Sequence, residues 1–177
     1  GQMFVLILGG IDLSQTSIMA LTSVVGGMLM TTQLDPTLFE KSPLWGVLFS
    51  PQGSPISGTV LAVPLGILTM LAVGVLVGLL NGLAVARFRM PAFMVTLVSM
   101  MFFSGLAIFL TKSENIMYLP GRFTTLGAGQ IGPVPYSFFV VLVLAAVAQI
   151  VLKHTVLGRW FFAVCRSIRT SFVSGVP

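Results

Sequence analysis

Apolar residues gather in five runs along the chain, at 3–8, 17–30, 58–86, 92–110 and 136–152. A helix needs about 20 apolar residues to cross a bilayer. The first run is far too short and is cut off by Gly9-Gly10. The second reaches a spanning length only if it starts near Leu13 and extends to Thr32. The pattern predicts an all-α fold, a polytopic transmembrane bundle of about four spanning helices plus a broken N-terminal half-helix. Residues 1–177 read as a single membrane domain, with 154–177 as a tail.

The polar segments between the runs set an orientation. Segments 33–57 and 112–135 together hold three bases and three acids: Lys41, Lys112 and Arg122 against Asp35, Glu40 and Glu114. The turn at Arg87-Phe88-Arg89 and the tail with Lys153, Arg159, Arg166 and Arg169 hold six bases and no acid. Basic excess marks the cytoplasmic side. The two kinds of segment alternate, as single crossings require, so the Arg87–Arg89 turn and the tail are expected in the cytoplasm of a multi-pass inner-membrane protein. A Lys or Arg costs about 2.5–3.5 kcal/mol at the centre of a membrane helix. The tail is therefore expected to lie as a helix or loop against a partner or the membrane surface.

Composition strengthens the membrane reading. The chain is 56% hydrophobic and 7% charged, where soluble domains carry about 25% charge. A soluble fold of this size has too much surface to hide so much apolar area. The net charge of +5 does not point to nucleic acid, because the bases flank apolar runs instead of interleaving with aromatics on one face. A single cysteine, Cys165, excludes an internal disulfide and a Cys-based zinc site, and it reads as a small apolar residue. One histidine, His154, makes no metal site. The N-terminus lacks the basic segment and cleavage site of a secretory signal. Its start within an apolar run leads us to expect an upstream helix.

The most informative stretch is Gly9-Gly10-Ile11-Asp12-Leu13-Ser14. Adjacent glycines break a helix through their backbone entropy, and Asp12 or Ser14 can cap the next one. One reading is a discontinuous membrane helix, whose irregular backbone lines a wet cavity or is buried in protein. The other is a loop at the membrane face. Asp12, Ser14, Gln15 and Asn81 are the candidate solute-path residues. Asn81 either hydrogen-bonds across helices or touches solute. Gly74, Gly78 and Gly82 recur every fourth residue and predict a helix face for close packing.

Gly127-Ala128-Gly129-Gln130-Ile131-Gly132 matches a dinucleotide-binding spacing, but that chemistry needs a strand before it and a helix directly after it. Pro133 and Pro135 follow instead, so a loop leading to Tyr136 is expected. The sequence holds no G-x-S-x-G, H-E-x-x-H or phosphate-loop lysine pattern, and no enzyme is expected.

Several segments in order resemble ribose-type ABC transporter permeases: Gly9 to Ser14 with Ser17-Ile18-Met19-Ala20-Leu21, Gly78-Leu79-Leu80-Asn81-Gly82, Arg89-Met90-Pro91-Ala92-Phe93-Met94-Val95-Thr96-Leu97, Gly105-Leu106-Ala107, Leu119-Pro120, Ile131-Gly132-Pro133-Val134-Pro135 and Thr155-Val156-Leu157-Gly158-Arg159. The resemblance implies a permease subunit importing monosaccharides or similar small polar solutes. It implies as partners a second permease subunit, an ABC ATPase subunit that uses the ATP, and a periplasmic sugar-binding protein, within a lipid membrane and without nucleic acid. It implies no cofactor in this chain. Such permeases are about twice as long, so the chain resembles their N-terminal to middle portion. Their ATPase-coupling segment corresponds to Ala163, Arg166, Arg169, Ser174 and Gly175. Here Cys165 to Val173 departs from the usual pattern, with Arg169 where an acid is usual. The competing readings are a truncated or degenerate fragment without transport of its own, and a membrane enzyme or channel.

Overall fold

The computed structural model describes residues 2–7, 9–40, 45–46 and 50–166. In chain order these form α1 (Gln2–Ile7), α2 (Gln15–Met30), α3 (Pro36–Phe39), α4 (Ala62–Phe88), α5 (Ala92–Thr111), α6 (Gly121–Ala128), β1 (Gln130–Ile131), β2 (Val134–Pro135), α7 (Tyr136–His154) and α8 (Val156–Arg166). Three of them, α4, α5 and α7, are long and apolar enough to cross a membrane. Their large side chains point outward along most of each helix, as lipid-facing helices require. The protein is a multi-pass helical membrane protein.

The boundaries follow from local chemistry. Proline disfavours helix in the residue before it and is at home where a helix begins. Pro91 therefore stops α4 and precedes α5, and Arg89 takes the left-handed conformation between them, with φ of 55°. α5 ends in two further left-handed residues, Lys112 and Ser113, and the Ser113 amide donates to the Ile108 carbonyl at 3.3 Å. Pro135 opens α7 in the same way as Pro91 opens α5. The four-residue α3 is capped by Asp35, whose carboxylate accepts from the Thr37 amide at 2.9 Å and the Thr37 hydroxyl at 2.7 Å. Those bonds hold the Asp35 carboxyl below its ordinary pKa, the side-chain bond more than the backbone one.

The described residues fall into two compact units, Leu13–Thr125 and Gly1–Asp12 with Leu126–Pro177. In the larger unit α2 is the most buried of the long helices. It buries Ser17, Leu21, Gly26, Gly27, Met28 and Met30 against α4 and α5. At 16 residues it rises about 24 Å, short of the roughly 30 Å hydrocarbon core. Its other side, at Thr16, Met19, Ala20 and Ser23, is exposed. The close approach of α2 and α4 is at Gly26, where a Cβ would strike Met70, and at Gly66, where it would strike Met30.

The far end of α2 is tied to the segment after α5. The Thr31 hydroxyl donates to the Met117 carbonyl at 2.7 Å, and the Thr32 hydroxyl donates to the Tyr118 carbonyl at 3.1 Å. Gly53, with φ of +85°, lies directly under the Thr31 carbonyl, where any side chain would collide. In the smaller unit, β1 and β2 pair antiparallel around Gly132 and lead into α7. Thr155 separates α7 from α8 and caps α8, its hydroxyl accepting from the Gly158 amide at 3.3 Å. A Cβ on Gly158 would collide with the Leu152 backbone, so glycine lets α8 pack on the last turn of α7.

Candidate functional site

Polar side chains inside an apolar bundle mark where chemistry or specific packing is placed. In the larger unit they converge at one level. The Asn81 amide on α4 donates to the Ser14 hydroxyl oxygen at 3.0 Å, and the Asn81 carbonyl oxygen accepts from the Ser99 hydroxyl on α5. Ser14 is 0% exposed and sits at the start of α2. Its own carbonyl accepts from the Ser17 hydroxyl at 2.7 Å and the Ile18 amide at 2.9 Å. Three helices are thereby joined through one asparagine.

The depth of this junction follows from helix rise. Asn81 precedes the end of α4 at Phe88 by two turns, and Ser99 follows the start of α5 at Ala92 by the same interval. Both therefore sit about 10 Å in from the Arg87–Arg89 turn. Ser14 shares their level through its bond to Asn81. The break itself is at Gly9, which adopts φ of +73°, with the Gly9 and Gly10 amides returning to the Leu6 and Val5 carbonyls of α1 at 3.0 Å. Residues 10–13 run on without helix to Ser14.

Ser14 occupies the N-cap position of α2 but makes no side-chain cap bond there. Its hydroxyl is turned to Asn81 instead. Gln15 is half-buried in the first turn of α2, and Asp12 is half-buried in the smaller unit. Of the four candidate solute-path residues, the structure thus brings Ser14 and Asn81 into direct contact. Ser99 was not among them. Its only sequence signal is a hydroxyl in an apolar run, shared with Ser104 and Thr96.

A groove of about 460 Å³ between α4 and α5 opens beside the junction, lined by Asn81 and Ser99 among apolar residues including Met94, Val98 and Phe102. Beyond their bonds to each other and to Ser14, Asn81 keeps a second amide hydrogen and a carbonyl lone pair, and Ser99 an acceptor lone pair.

Of the glycines expected on a packing face, Gly74 meets Thr22 and Ile18 of α2, where a Cβ would stand in ordinary contact at 3.8 and 3.9 Å. Gly78 and Gly82 meet nothing within 4 Å. In the expected coupling segment, Ala163 is half-buried on α8 and Arg166 is its last residue. Arg169, Ser174 and Gly175 lie outside the described residues. Gly127 sits in α6 and Gly132 in the hairpin turn, so the glycine spacing has no strand leading into a helix. Among the described residues no three His, Cys, Asp or Glu side chains gather, and Cys165 is exposed.

The sequence matches the family described as branched-chain amino acid transport system / permease component over residues 1–177. It is 32% identical to the L-arabinose ABC transporter permease protein of Azospirillum brasilense, over 99% of this chain and 44% of the relative. It is 31% identical to a probable ABC transporter permease protein of Sinorhizobium fredii, over 100% of this chain and 45% of the relative. It is 26% identical to the ribose import permease protein of Haemophilus influenzae, over 99% and 47% respectively. The chain therefore spans about half the length of these relatives. No solved structure matches it.

Proposed function

This chain belongs to the branched-chain amino acid transport system / permease component family, and from that premise we propose that it forms part of the membrane path of an ATP-driven importer of monosaccharides or similar small polar solutes. The observation that carries the reading is the end-to-end likeness to relatives named for L-arabinose and ribose. The family is one of transporter permeases, not of enzymes.

The physical design is compatible with that role. Residues 10–13 run without helix into the buried Ser14, and broken helices of this kind are what transporters use to meet polar solutes. Asp12, Ser14, Gln15 and Asn81 are the residues that we assign to the solute path, Ser14 and Asn81 also joining α2 to α4. The basic turn at Arg87–Arg89 and the end of α7 face the cytoplasm of a bacterial inner membrane. There the segment from Ala163 onward contacts an ABC ATPase subunit, which hydrolyses ATP while this chain binds none. A second permease subunit and a periplasmic sugar-binding protein complete the assembly.

The test is co-purification of the chain with the ATPase subunit from its own genome, followed by uptake of labelled L-arabinose or ribose into proteoliposomes loaded with ATP. ATP-dependent uptake is expected. Absence of any ATPase association sinks the importer reading, and uptake that proceeds without ATP points to a channel.

A further inference from the structure

The smaller unit contains a second groove, of about 650 Å³, with Met3 of α1 and Phe162 of α8 on its walls. Its long side is one face of α7: Val141, Leu144, Ala145, Ala148 and Leu152 recur at intervals of three and four. Gln149 and then Lys153 complete that face at the C-terminal end. From Val141 to Lys153 the helix rises about 18 Å. One leaflet of a hydrocarbon core about 30 Å thick measures about 15 Å. The groove thus runs the depth of a single leaflet and ends on an ammonium group.

A polymethylene chain fits along it, and the charge at the open end selects the occupant. Lys153 lines the groove, and His154 and Arg159 are exposed beside it in the chain. Residues 126–166 contain no acid. Gln149, one turn deeper than Lys153, places an amide where the ester carbonyls below a headgroup would sit.

We infer that this groove binds an anionic phospholipid of the leaflet on the Lys153 side, with an acyl chain along α7, the headgroup phosphate on the Lys153 ammonium and an ester carbonyl on Gln149. The inference rests on the chain's being in a membrane and is independent of any transport activity.

The test uses the full chain with Trp45→Phe, which leaves Trp160 of α8 as its single tryptophan. The chain is reconstituted in phosphatidylcholine vesicles containing a small fraction of brominated phosphatidylglycerol, or the same fraction of brominated phosphatidylcholine. Trp160 fluorescence should be quenched with about a fivefold preference for the anionic lipid, the size expected from one lysine at a membrane surface. Lys153→Gln should bring the preference to near one. Ala148→Phe, which fills the groove and keeps the charge, should do the same, and Lys153→Arg should retain the preference. Equal quenching by the two lipids in the parent chain overturns the inference. So does a preference that survives Ala148→Phe, which would belong to general surface charge, or one lost in Lys153→Arg. Quenching that falls as chain density in the vesicles rises also overturns it, because a second copy would then be the occupant.

Discussion

Asn81 and Ser14 meet at 3.0 Å, side chain to side chain, across 67 residues of sequence. The same asparagine accepts from Ser99, so its removal leaves two hydroxyls without their interhelical partner. Interhelical hydrogen bonds in membranes average about 0.6 kcal/mol and reach about 1.7. Asn81→Ala is expected to lower stability by about 1–3 kcal/mol, and Ser99→Ala by about 0.6 kcal/mol. A double-mutant cycle in detergent unfolding should show coupling between the two sites. Strict additivity would mean that the junction is not a unit.

The glycines on α4 divide by what faces them. Gly66→Ala drives a methyl group into the fully buried Met30 and should cost about 1–3 kcal/mol by overpacking. Gly78→Ala meets nothing within 4 Å, and should leave stability unchanged or raise it by up to about 1 kcal/mol through helix propensity. Thermal unfolding of the two variants decides it. Equal costs would return Gly78 to a packing role.

Gly53 and Gly58 both have positive φ, +85° and +81°, but only Gly53 lies against the Thr31 carbonyl. Gly58→Ala should cost about 1–2 kcal/mol for left-handed backbone. Gly53→Ala should cost more, because it also breaks the close approach to the end of α2. The ratio of the two unfolding midpoints is the readout.

A pH dependence follows from Asp35. Its folded carboxyl pKa is lowered, first by the Thr37 hydroxyl and then by the Thr37 amide. A depressed acid contributes stability above its unfolded pKa, about 3.9, and loses it as pH falls through the lower folded value. The cap of α3 should therefore be constant from neutral pH down to about 4 and weaken below that. Asp35→Asn should remove the acid-dependent part, measured by amide exchange at Thr37.

Long, apolar segments were legible in the sequence because length and composition alone decide them in lipid. The runs at 58–86, 92–110 and 136–152 became α4, α5 and α7 with boundaries shifted by four residues or fewer. The helix break at Gly9 was legible from glycine entropy. The junction of Ser14, Asn81 and Ser99 was not, since it depends on how α4 and α5 pack around the start of α2. Of the expected packing glycines, Gly74 meets α2, while Gly78 and Gly82 face open space among the described residues. A four-residue repeat reports a face, but what covers that face is set by the tilt of a neighbour, and α2 meets Gly66 and Gly74 without reaching Gly78. Gly158 carried no local periodicity, because its constraint is the Leu152 backbone.

The shortness of α2 bears on how the chain is made. A segment rising about 24 Å and carrying Ser17, Thr22 and Ser23 has little of its own to hold it in lipid as it leaves the translocon. Its partners on α4, on α5 and at Ile116 beyond α5 are all synthesised afterwards. Stable insertion of α2 must therefore wait for the hairpin from Ala62 to Thr111, so the order of membrane integration runs backward along this part of the sequence.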